Sequence, residues 1–568
     1  MFVKTTRVRR GNRTYEYLSL AEAFRNEEGK TRHRTLLRLG EASTLRDSGE
    51  LDRVIAALKH HTTPDQDSAG MVGVDELGAE SALGLGAVEA VAAWWGRLGL
   101  GEHFGDGDHA QAIFAMVANR LVSPASKRRV PEWAGEDVAM PEWFDHPPLH
   151  TYYRAVDTVA EAKAATEEHM YRRLTDLANL DLSLVCYDLT STFFEGSTQP
   201  SDRFPSKAFG YSRDHRGDRP QVVIGLLCTT DGIPIAHHVF SGNTSDVTTL
   251  PGVLSDLRDR FSVGGICVVA DRGLISQNNL DALSSGGFDH VLATRLHRDA
   301  ACTEALGAST APDVSWVPVP EANSAAADVT LADGRRCVVV ASFERHTRDT
   351  SRTAELVSRT EAKLLALEDR VRAGRLKDPA KIGRAAQRIL GDSGISRLFD
   401  LEIGQGAFLY HYNDDAFDYE ERLLAGRYVL TTSLTPTQAS AAQVVLAYRQ
   451  LTHVEDRFRV LKDFLHLRPV YHWTENRVRG HIGICVLAAV IEALISRDLT
   501  QAAVADPDLP DQDLTAPRAL RELDRIRRVT LTTNNHTIEV VTRPNALQAA
   551  ILAALGVDTR HWNKAHIT

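Results

Sequence analysis

The chain has 568 residues, of which 43% are hydrophobic and 25% charged, a composition typical of globular proteins. This length predicts two to four domains rather than one core. Six scattered cysteines without a CxxC pair argue against a structural zinc site, and the sequence shows neither an apolar run long enough to span a membrane nor a secretory signal. We therefore expect a protein of the reducing cytoplasm.

The charge is unevenly distributed along the chain. The net charge of −10 by itself argues against a nucleic-acid partner. Residues 1–40, however, carry ten Lys/Arg against four Asp/Glu, a local charge of +6. A phosphate-binding surface needs only such a local positive face, but a solvated basic tail explains the same charge equally well.

The first part of the chain changes from strands to helices. Residues 1–42 are predicted to form short strands and turns, because TYEYLSLAEAF and GKTRHRTLLRLG each begin at a turn signal. A short helical stretch at 51–61 and a polar linker follow. From residue 74 to 180, segments such as HAQAIFAMVANRLV carry apolar residues at helical spacing, which predicts a helical, candidate DNA-binding domain.

Strand-like apolar runs dominate from residue 182. LSLVCYDLTST is followed by two runs joined at Asp231-Gly232, a strong hairpin signal. GICVVADRG and DHVLATR add two further strands, separated by the helical stretch NNLDALSS. Strands mixed with helices in this way predict an α/β sheet.

The remaining segments are an apparent insertion and a long helix. Residues 296–425 contain short strands around Trp316 and then two helices, before GRYVLTTSL resumes the sheet. A long helix is predicted from Thr435, which has the pattern of a helix cap. One apolar stripe runs along it, formed by Leu451, Val454, Phe458, Leu461 and Leu465.

These patterns predict six regions. They are a basic β-rich N-terminal region (1–66), a helical domain (67–180), the first part of the α/β core (181–295), an insertion domain (296–425), the second part of the core (426–500) and a C-terminal appendage (501–568).

Three acidic residues lie in matching contexts. Asp188 and Asp271 each follow an apolar run, so both are expected at the end of a buried strand, where an unpaired carboxylate is costly. Glu455 lies at the margin of the apolar stripe, with Arg459 and Lys462 one and two turns later on the same side. Three carboxylates can hold two hard cations such as Mg²⁺, and two such ions can activate the attacking oxygen and stabilise the leaving oxygen of a phosphodiester.

Each acid also has an ordinary explanation. Asp188 could cap a turn with the hydroxyl residues that follow it, and Asp271-Arg272-Gly273 could be a turn after a strand. Glu455 could pair with Arg459 on the helix surface. For each acid alone the ordinary explanation is the better one, whereas the three together favour a shared metal site.

The segments around these acids resemble the DDE transposases of bacterial insertion sequences. They are YDLTSTFFEG, VVADRGLIS and YRQLTHVEDRFRVLKDFLHLRPVYHWTENRVRGHI. The resemblance is to the cut-and-paste branch, which has a β-rich insertion before the glutamate. Its signature, Tyr-x₂-Arg-x₃-Glu-x₆-Lys, is matched by Tyr448, Glu455 and Lys462. Leu451 stands at the arginine position, where Arg449 or Arg459 could substitute.

The resemblance extends over residues 1–490 and includes GIPIAHHVFSGNTSD, with Asn243 and Asp246. It implies a ribonuclease-H-like core, Mg²⁺ with Mn²⁺ as a substitute, and a homodimer that synapses two transposon ends. The implied substrates are double-stranded DNA with terminal inverted repeats and target DNA, which places the protein at the nucleoid. The implied site residues are Asp188 and Asp271 as metal-bridging ligands, Glu455 as the third ligand, and Tyr448, Lys462, Arg449 and Arg459 as DNA contacts.

Two other functions remain open at this point. A metal-dependent nuclease that hydrolyses DNA without strand transfer would have the same active site, because water and a 3′-hydroxyl are both oxygen nucleophiles. A DNA-binding regulator, or a transposase copy that has lost activity, could also retain all three acids. In relatives the insertion domain helps to hold a strand end or hairpin intermediate; Trp316 is a candidate stacking residue there, although a core position near Val314 and Val317 explains it better.

Overall fold

The computed structural model describes residues 2–10, 13–25, 31–47, 78–178, 183–195, 204–261, 266–294, 299–391, 395–506, 511–532 and 537–563. The helix expected at 51–61, the linker after it and the two N-terminal turns lie outside these ranges. The chain divides into two compact units. We call Met1–Arg173, Val460–Arg468 and His472–Thr568 the helical unit, and Leu174–Arg459 with Pro469–Tyr471 the sheet unit.

The helical unit begins with the strands that the N-terminal sequence predicts. The strands β1 (Phe2–Arg10), β2 (Arg13–Arg25) and β3 (Thr31–Glu41) form an antiparallel sheet in the order β1-β2-β3. Arg7 and Glu16 face each other across β1 and β2 and form an exposed ion pair. A short helix, α1 (Ala42–Asp47), follows β3.

Residues 86–178 are mostly helical, as predicted, but the helical prediction for residues 74–180 is wrong at its start, where Gly78–Gly84 forms a strand. Three of their helices pack against a later one, α15 (Glu475–Ala505), whose Gly480 and Gly483 allow close contact with Val156 and Val159. By length and composition α15 could span a membrane, but 94% of its most apolar 18-residue stretch is buried, as expected of a core helix. The helices of residues 86–178 are α2 (Gly86–Arg97), α3 (Leu100–Phe104), α4 (Asp108–Val122), α5 (Leu149–Glu161) and α6 (Lys163–Ala178).

The C-terminal segment shares a sheet with residues from near the start of the helical region. The strand β4 (Gly78–Gly84) pairs antiparallel with β16 (Arg527–Thr532), which pairs on its other side with β17 (Thr537–Val541). The sequence predicted a C-terminal appendage but not the strand with which it pairs, because this pairing joins residues more than 400 positions apart. The helices here are α16 (Ala516–Leu523) and α17 (Ala546–Ala554).

A nine-stranded sheet forms the centre of the sheet unit, in the order β10-β11-β12-β15-β9-β8-β5-β6-β7. One half of it contains β5 (Leu184–Phe193), β6 (Gln221–Cys228), β7 (Pro234–Ser241), β8 (Cys267–Ala270) and β9 (Asp289–Ala293). The pairs β5–β6 and β6–β7 are antiparallel, whereas β8 runs parallel to both β5 and β9. The connecting helices are α7 (Leu250–Phe261) and α8 (Gln277–Ser285).

Local signals explain this half of the sheet. All eight residues of β6 are buried, as a continuous apolar run in a central strand requires. The hairpin predicted at Asp231-Gly232 joins β6 and β7, and Gly232 adopts the positive φ of 73° that such a turn favours. Cys186 and Cys267 are buried in β5 and β8, as their apolar surroundings require.

Strands of the segment 296–425 extend the same sheet. The strand β15 (Arg427–Thr432) pairs antiparallel with β9 on one side and with β12 (Arg336–Ser342) on the other. The strands β11 (Ser324–Thr330) and β10 (Trp316–Val319) continue outwards from β12. The sequence did not indicate this continuity, because a strand pattern does not say which neighbour the strand will pair with.

The rest of that segment has its own core. Residues of α10 (Phe343–Arg372), α11 (Pro379–Gly391) and the hairpin β13 (Phe399–Gly404)–β14 (Ala407–Tyr412) form a separate hydrophobic cluster. Two shorter helices, α9 (Ala300–Ala308) and α12 (Asp414–Tyr419), complete the segment.

The prediction of a long helix from Thr435 is wrong in two respects: the helix begins later, and it is interrupted. The Thr435 backbone N–H donates to Gln438 Oε1 at 2.8 Å and closes a turn, whereas Ser440 forms the capping box with Gln443. Two helices follow, α13 (Ala441–Arg449) and α14 (Leu451–Arg459), and then a π-helical turn, Val460–Phe464. Both caps fit the same short motif, so sequence alone could not choose between them.

Candidate active site

The strand register brings Asp188 and Asp271 together. Tyr187 on β5 is paired with Ala270 on β8, and the strands are parallel. Asp188 and Asp271 are the next residues, so they occupy equivalent positions on adjacent strands, which lie about 4.8 Å apart in a sheet. Residues at equivalent positions point to the same face of the sheet, so the two carboxylates are neighbours.

The predicted strand end is right for Asp271 and wrong for Asp188. The strand β8 stops at Ala270, whereas β5 continues to Phe193. It continues because β6 pairs with β5 from Cys186 to Phe193. Asp188 therefore lies within a strand, at the level where its parallel neighbour ends.

Glu455 comes from α14, which packs against β5 and β6. Leu451, Val454 and Phe458 are buried, as the apolar stripe predicts. Glu455 itself is exposed, at the margin of that face. Glu455 lies close enough to Asp188 and Asp271 for the charges to interact, while its side chain remains in contact with solvent.

The three carboxyl groups influence one another electrostatically. Burial, followed by the charges of Asp271 and Glu455, raises the pKa of Asp188 to about 7. Partial desolvation and the charge of Asp271 raise the pKa of Glu455 as well. Like charges held this close repel unless a cation lies between them.

The acids do not yet surround one point. Among the residues that the structure describes, no group of three or more His, Cys, Asp or Glu side chains is arranged to hold a metal ion. The two aspartates are adjacent, whereas the Glu455 carboxyl must move to join them. Because the Glu455 side chain is exposed, a rotamer change that brings it closer costs little.

Tyr448 contacts one of the aspartates directly. Its hydroxyl donates a hydrogen bond of 3.2 Å to Asp271 Oδ1. Burial and the charge of Asp271 raise the pKa of Tyr448, so the hydroxyl keeps its proton and remains a donor. The sequence signature singled out Tyr448 as a DNA contact but did not predict this hydrogen bond.

Arg213 is a further charged residue near the acids, which the sequence patterns did not single out. Its Nη2 atom forms an ion pair of 2.6 Å with Asp246 Oδ2, and its positive charge opposes the rise in the pKa of Asp188. The available signal was the basic segment SRDHRGDRP directly before β6. The spacing of residues in that segment does not indicate that it contacts β5.

The other residues expected to contact DNA lie in different settings. Arg449 Nη1 donates to the Ala322 carbonyl oxygen at 2.7 Å, and Arg459 Nη1 pairs with Asp456 Oδ1 at 2.9 Å rather than with Glu455. Lys462 lies in the π-helical turn, which belongs to the helical unit.

Trp316 lies on β10, packs against a core cluster and has the Arg427 guanidinium above its ring. This setting agrees with the core position that explained it better than base stacking.

Two segments of the chain match known protein families. The family described as "Transposase DDE domain" matches residues 183–491, and "IS1634 family transposase, N-terminal domain" matches residues 2–68. No match is found among curated proteins. One solved structure, "Mos1 transposase paired-end complex with left transposon end", is 12% identical over 46% of this chain and 70% of that one, with a TM-score of 0.15, too low to support any argument.

The first family match spans more than half of the chain and contains Asp188, Asp271 and Glu455. The second match covers the basic N-terminal strands. The chain therefore belongs to the DDE transposases of insertion sequences, enzymes that carry out DNA transposition.

Proposed function

We propose that Asp188, Asp271 and Glu455 form the active site at which this transposase cleaves and joins DNA strands. The observation that carries the proposal is the register of β5 and β8, which makes the two aspartates neighbours, with Glu455 within electrostatic reach. Three acids far apart in sequence rarely come within electrostatic reach of one another without a shared ligand, because their mutual repulsion is costly.

The strand order supports a ribonuclease-H-like core. In chain order, three antiparallel strands (β5, β6, β7) are followed by two strands parallel to the first (β8, β9), and a helix precedes each of the last two. This order, β7-β6-β5-β8-β9, is the arrangement expected of such a core. The catalytic acids are then expected on the first strand and at the end of the fourth; Asp188 lies on β5 and Asp271 directly follows β8.

The donor atoms of the site suit the divalent metal on which DDE enzymes depend. All three side chains offer carboxylate oxygens, the ligands that Mg²⁺ prefers, with Mn²⁺ as a substitute. We propose that Asp188 and Asp271 would hold the ions and that Glu455 would join them after a rotamer change. The bound ions would activate the attacking oxygen and stabilise the leaving oxygen.

The protein's own residues would orient the acids and the substrate. Tyr448 fixes one oxygen of Asp271 through its hydroxyl. Arg459 and Lys462 are proposed to bind phosphates of the DNA. Arg459 is mostly exposed and lies one turn of α14 after Glu455, and Lys462 follows in the π-helical turn. Arg449 remains a weaker candidate, since it already donates to the Ala322 carbonyl oxygen.

The substrate proposed here is double-stranded DNA that ends in terminal inverted repeats, together with target DNA. The family assignment and the basic N-terminal sheet support this substrate. We further propose that two copies act together, so that both ends of the insertion sequence are held in one synaptic complex. Such a protein would work at the nucleoid.

Single substitutions test the active site. Asp188→Ala, Asp271→Ala and Glu455→Gln should each abolish Mg²⁺-dependent cleavage of end-bearing DNA, while binding of the same DNA persists. Asp418→Asn is the matched control, because Asp418 is an exposed acid on α12 that pairs only with Arg422 among the ion pairs of the described residues. Full cleavage by any of the three variants would remove that residue from the site.

Pre-cleaved ends distinguish transposition from hydrolysis alone. Wild-type protein given ends with free 3′-hydroxyls should join them to a target duplex. A protein that cuts intact ends yet never joins pre-cleaved ones is a nuclease. A protein that binds ends but does neither is a regulator or an inactive copy.

A further inference from the structure

We propose that Arg213, held in place by Asp246, binds a phosphate of the DNA beside the catalytic acids. It would supply the guanidinium that the family signature places on the glutamate helix, where this chain has Leu451. This role presupposes the transposition site proposed above and adds to it a substrate-binding residue from a different element.

The loop that carries Arg213 is anchored to the catalytic strand. The Arg213 backbone N–H donates to Ser191 Oγ at 3.2 Å, and Ser191 lies buried on β5, three residues after Asp188. Buried Gln221 donates from Nε2 to the Tyr211 carbonyl oxygen at 3.0 Å. Two bonds to buried groups therefore fix the backbone on either side of residue 212.

The Arg213 side chain is fixed by an acid that is itself anchored. Asp246 Oδ2, which pairs with Arg213, lies only 3.3 Å from where a Cβ atom on Gly273 would be, in the turn after Asp271. Buried Asn279 donates from Nδ2 to the carbonyl oxygens of Val247 and Leu274, and so joins the Asp246 segment to that turn. The Arg213–Asp246 pair thus connects the strand of Asp188 to the turn of Asp271.

The guanidinium retains donors for a ligand. Across the described ranges it makes one hydrogen bond, from Nη2 to Asp246, and 23% of the side chain is exposed. A guanidinium has five N–H donors, and its fork geometry matches phosphate oxygens. Its charge already acts on Asp188, which places it beside the acids but not in their hydrogen bonds.

The other residues considered for this role fit it less well than Arg213. Leu451, at the signature position, is 5% exposed and has no charge to offer. Arg449 is bonded to a carbonyl oxygen of the Pro320–Ala322 turn. Arg459, proposed above as a separate phosphate contact, lies about two turns of α14 beyond the signature position. The competing explanation for Arg213 is an ion pair that only stabilises its loop.

The first test compares Arg213→Ala and Arg213→Lys with Arg216→Ala. Arg216 lies in the same loop, where Asp218 holds its guanidinium through two hydrogen bonds, and so it is the matched control. The probe is a duplex that carries the terminal sequence flanking the coding region. In metal-free buffer, Arg213→Ala should lower the slope of log affinity against log salt by about 0.9, the value of one phosphate contact.

The second test measures single-turnover cleavage with Mg²⁺. Arg213→Ala should slow cleavage about 10²- to 10³-fold, as loss of one charge-stabilising donor does elsewhere, and Arg213→Lys should restore part of the loss. Asp246→Asn should act in the same direction but less strongly, because the guanidinium remains. A rate and a salt slope equal to those of the wild type, with only the melting temperature lowered, would show the loop-stabilising role and overturn the proposal.

A third test locates the phosphate. Neutral methylphosphonates are placed one at a time around the cut, and binding is measured without metal. At one phosphate position, the methylphosphonate should lower the affinity of the wild-type protein for the DNA but not that of Arg213→Ala. Identical maps for the two proteins would refute the contact. Because these measurements need no cleavage, they stand even if the substitutions at Asp188, Asp271 and Glu455 show that the active site lies elsewhere.

Discussion

The Tyr448 hydroxyl and Asp271 Oδ1 are joined by a hydrogen bond of 3.2 Å. Tyr448 lies on α13, so this bond fixes the carboxylate at the end of β8 from outside the sheet. The Tyr448 ring lies 5.8 Å from that of Tyr428 on β15, which limits its motion. A ligand held by such a partner keeps one oxygen oriented and leaves the other for the metal.

Tyr448→Phe should weaken metal binding without unfolding the protein. The ring remains, but Asp271 loses the donor that orients it, and loss of such outer partners costs about 10- to 100-fold in metal affinity. Titration of Mg²⁺ or Mn²⁺ against the melting temperature measures the change. Tyr428→Phe removes a hydroxyl from the neighbouring ring and should leave the affinity unchanged; equal affinities in both variants would show that the bond to Asp271 has no such role.

Asp188 should make the metal-free protein less stable as the pH rises. Its folded-state pKa of about 7 lies above the unfolded value of about 3.9, so the folded state binds more protons between these limits. Stability is therefore lost as the pH rises from about 4 to 7, and then levels off. The same protonation should weaken metal binding below pH 7.

Asp188→Asn should remove this penalty. In metal-free buffer at pH 8 the variant should be more stable than the wild type, on the order of 1–2 kcal/mol after screening by solvent, and the difference should shrink at pH 5. Urea unfolding at the two pH values measures it. With saturating Mg²⁺ the order should reverse; a variant that Mg²⁺ stabilises as much as the wild type would contradict the assignment of Asp188 as a ligand.

Local signals predicted the strands that carry the two aspartates, because apolar runs and an Asp-Gly hairpin are specified by adjacent residues. They could not show that Asp188 lies within its strand, since β5 continues only where β6 pairs with it. The sequence did not single out Arg213 for the same reason. Its position near the acids depends on a hydrogen bond to Ser191, and the sequence does not show that these two residues are in contact. The cap at Ser440 competed with an equally plausible one at Thr435, and only tertiary packing decides between them.

Arg120 should be essential for the stability of the helical unit. It is 6% exposed, and its guanidinium donates to the carbonyl oxygens of Leu465, His466 and Ala125. Arg120→Met would leave these acceptors buried without donors, at a cost of about 2–4 kcal/mol. A fall in melting temperature is the expected result, and an unchanged one would show that water satisfies the carbonyl groups.

Replacing Lys127 by methionine should raise the melting temperature, in contrast to the same replacement of Arg120. It is 5% exposed and contacts His481 Nδ1 at 3.2 Å, and burial lowers its pKa well below the usual value. Its folded state therefore loses a proton that the unfolded state keeps, so stability is gained as the pH rises towards the unfolded pKa. Lys127→Met should raise the melting temperature at pH 7, by less at pH 10; a variant that is less stable than the wild type at pH 7 would show that Lys127 is needed as a charge.

Alanine substitutions at Gly480 and Gly252 test how closely the helices pack. A Cβ atom on Gly480 would lie 1.9 Å from the Val156 carbonyl oxygen, and that oxygen belongs to the backbone of α5 and cannot turn aside. Gly480→Ala should therefore force α15 and α5 apart and cost about 3 kcal/mol or prevent folding. On α7, a Cβ atom on Gly252 would meet nothing within 4 Å, so Gly252→Ala should stabilise the protein by about 0.5–1 kcal/mol. Melting temperatures of the two variants measure the difference, and a tolerated Gly480→Ala would mean that the helices pack less closely than described, because no side-chain rotation can relieve a clash with backbone.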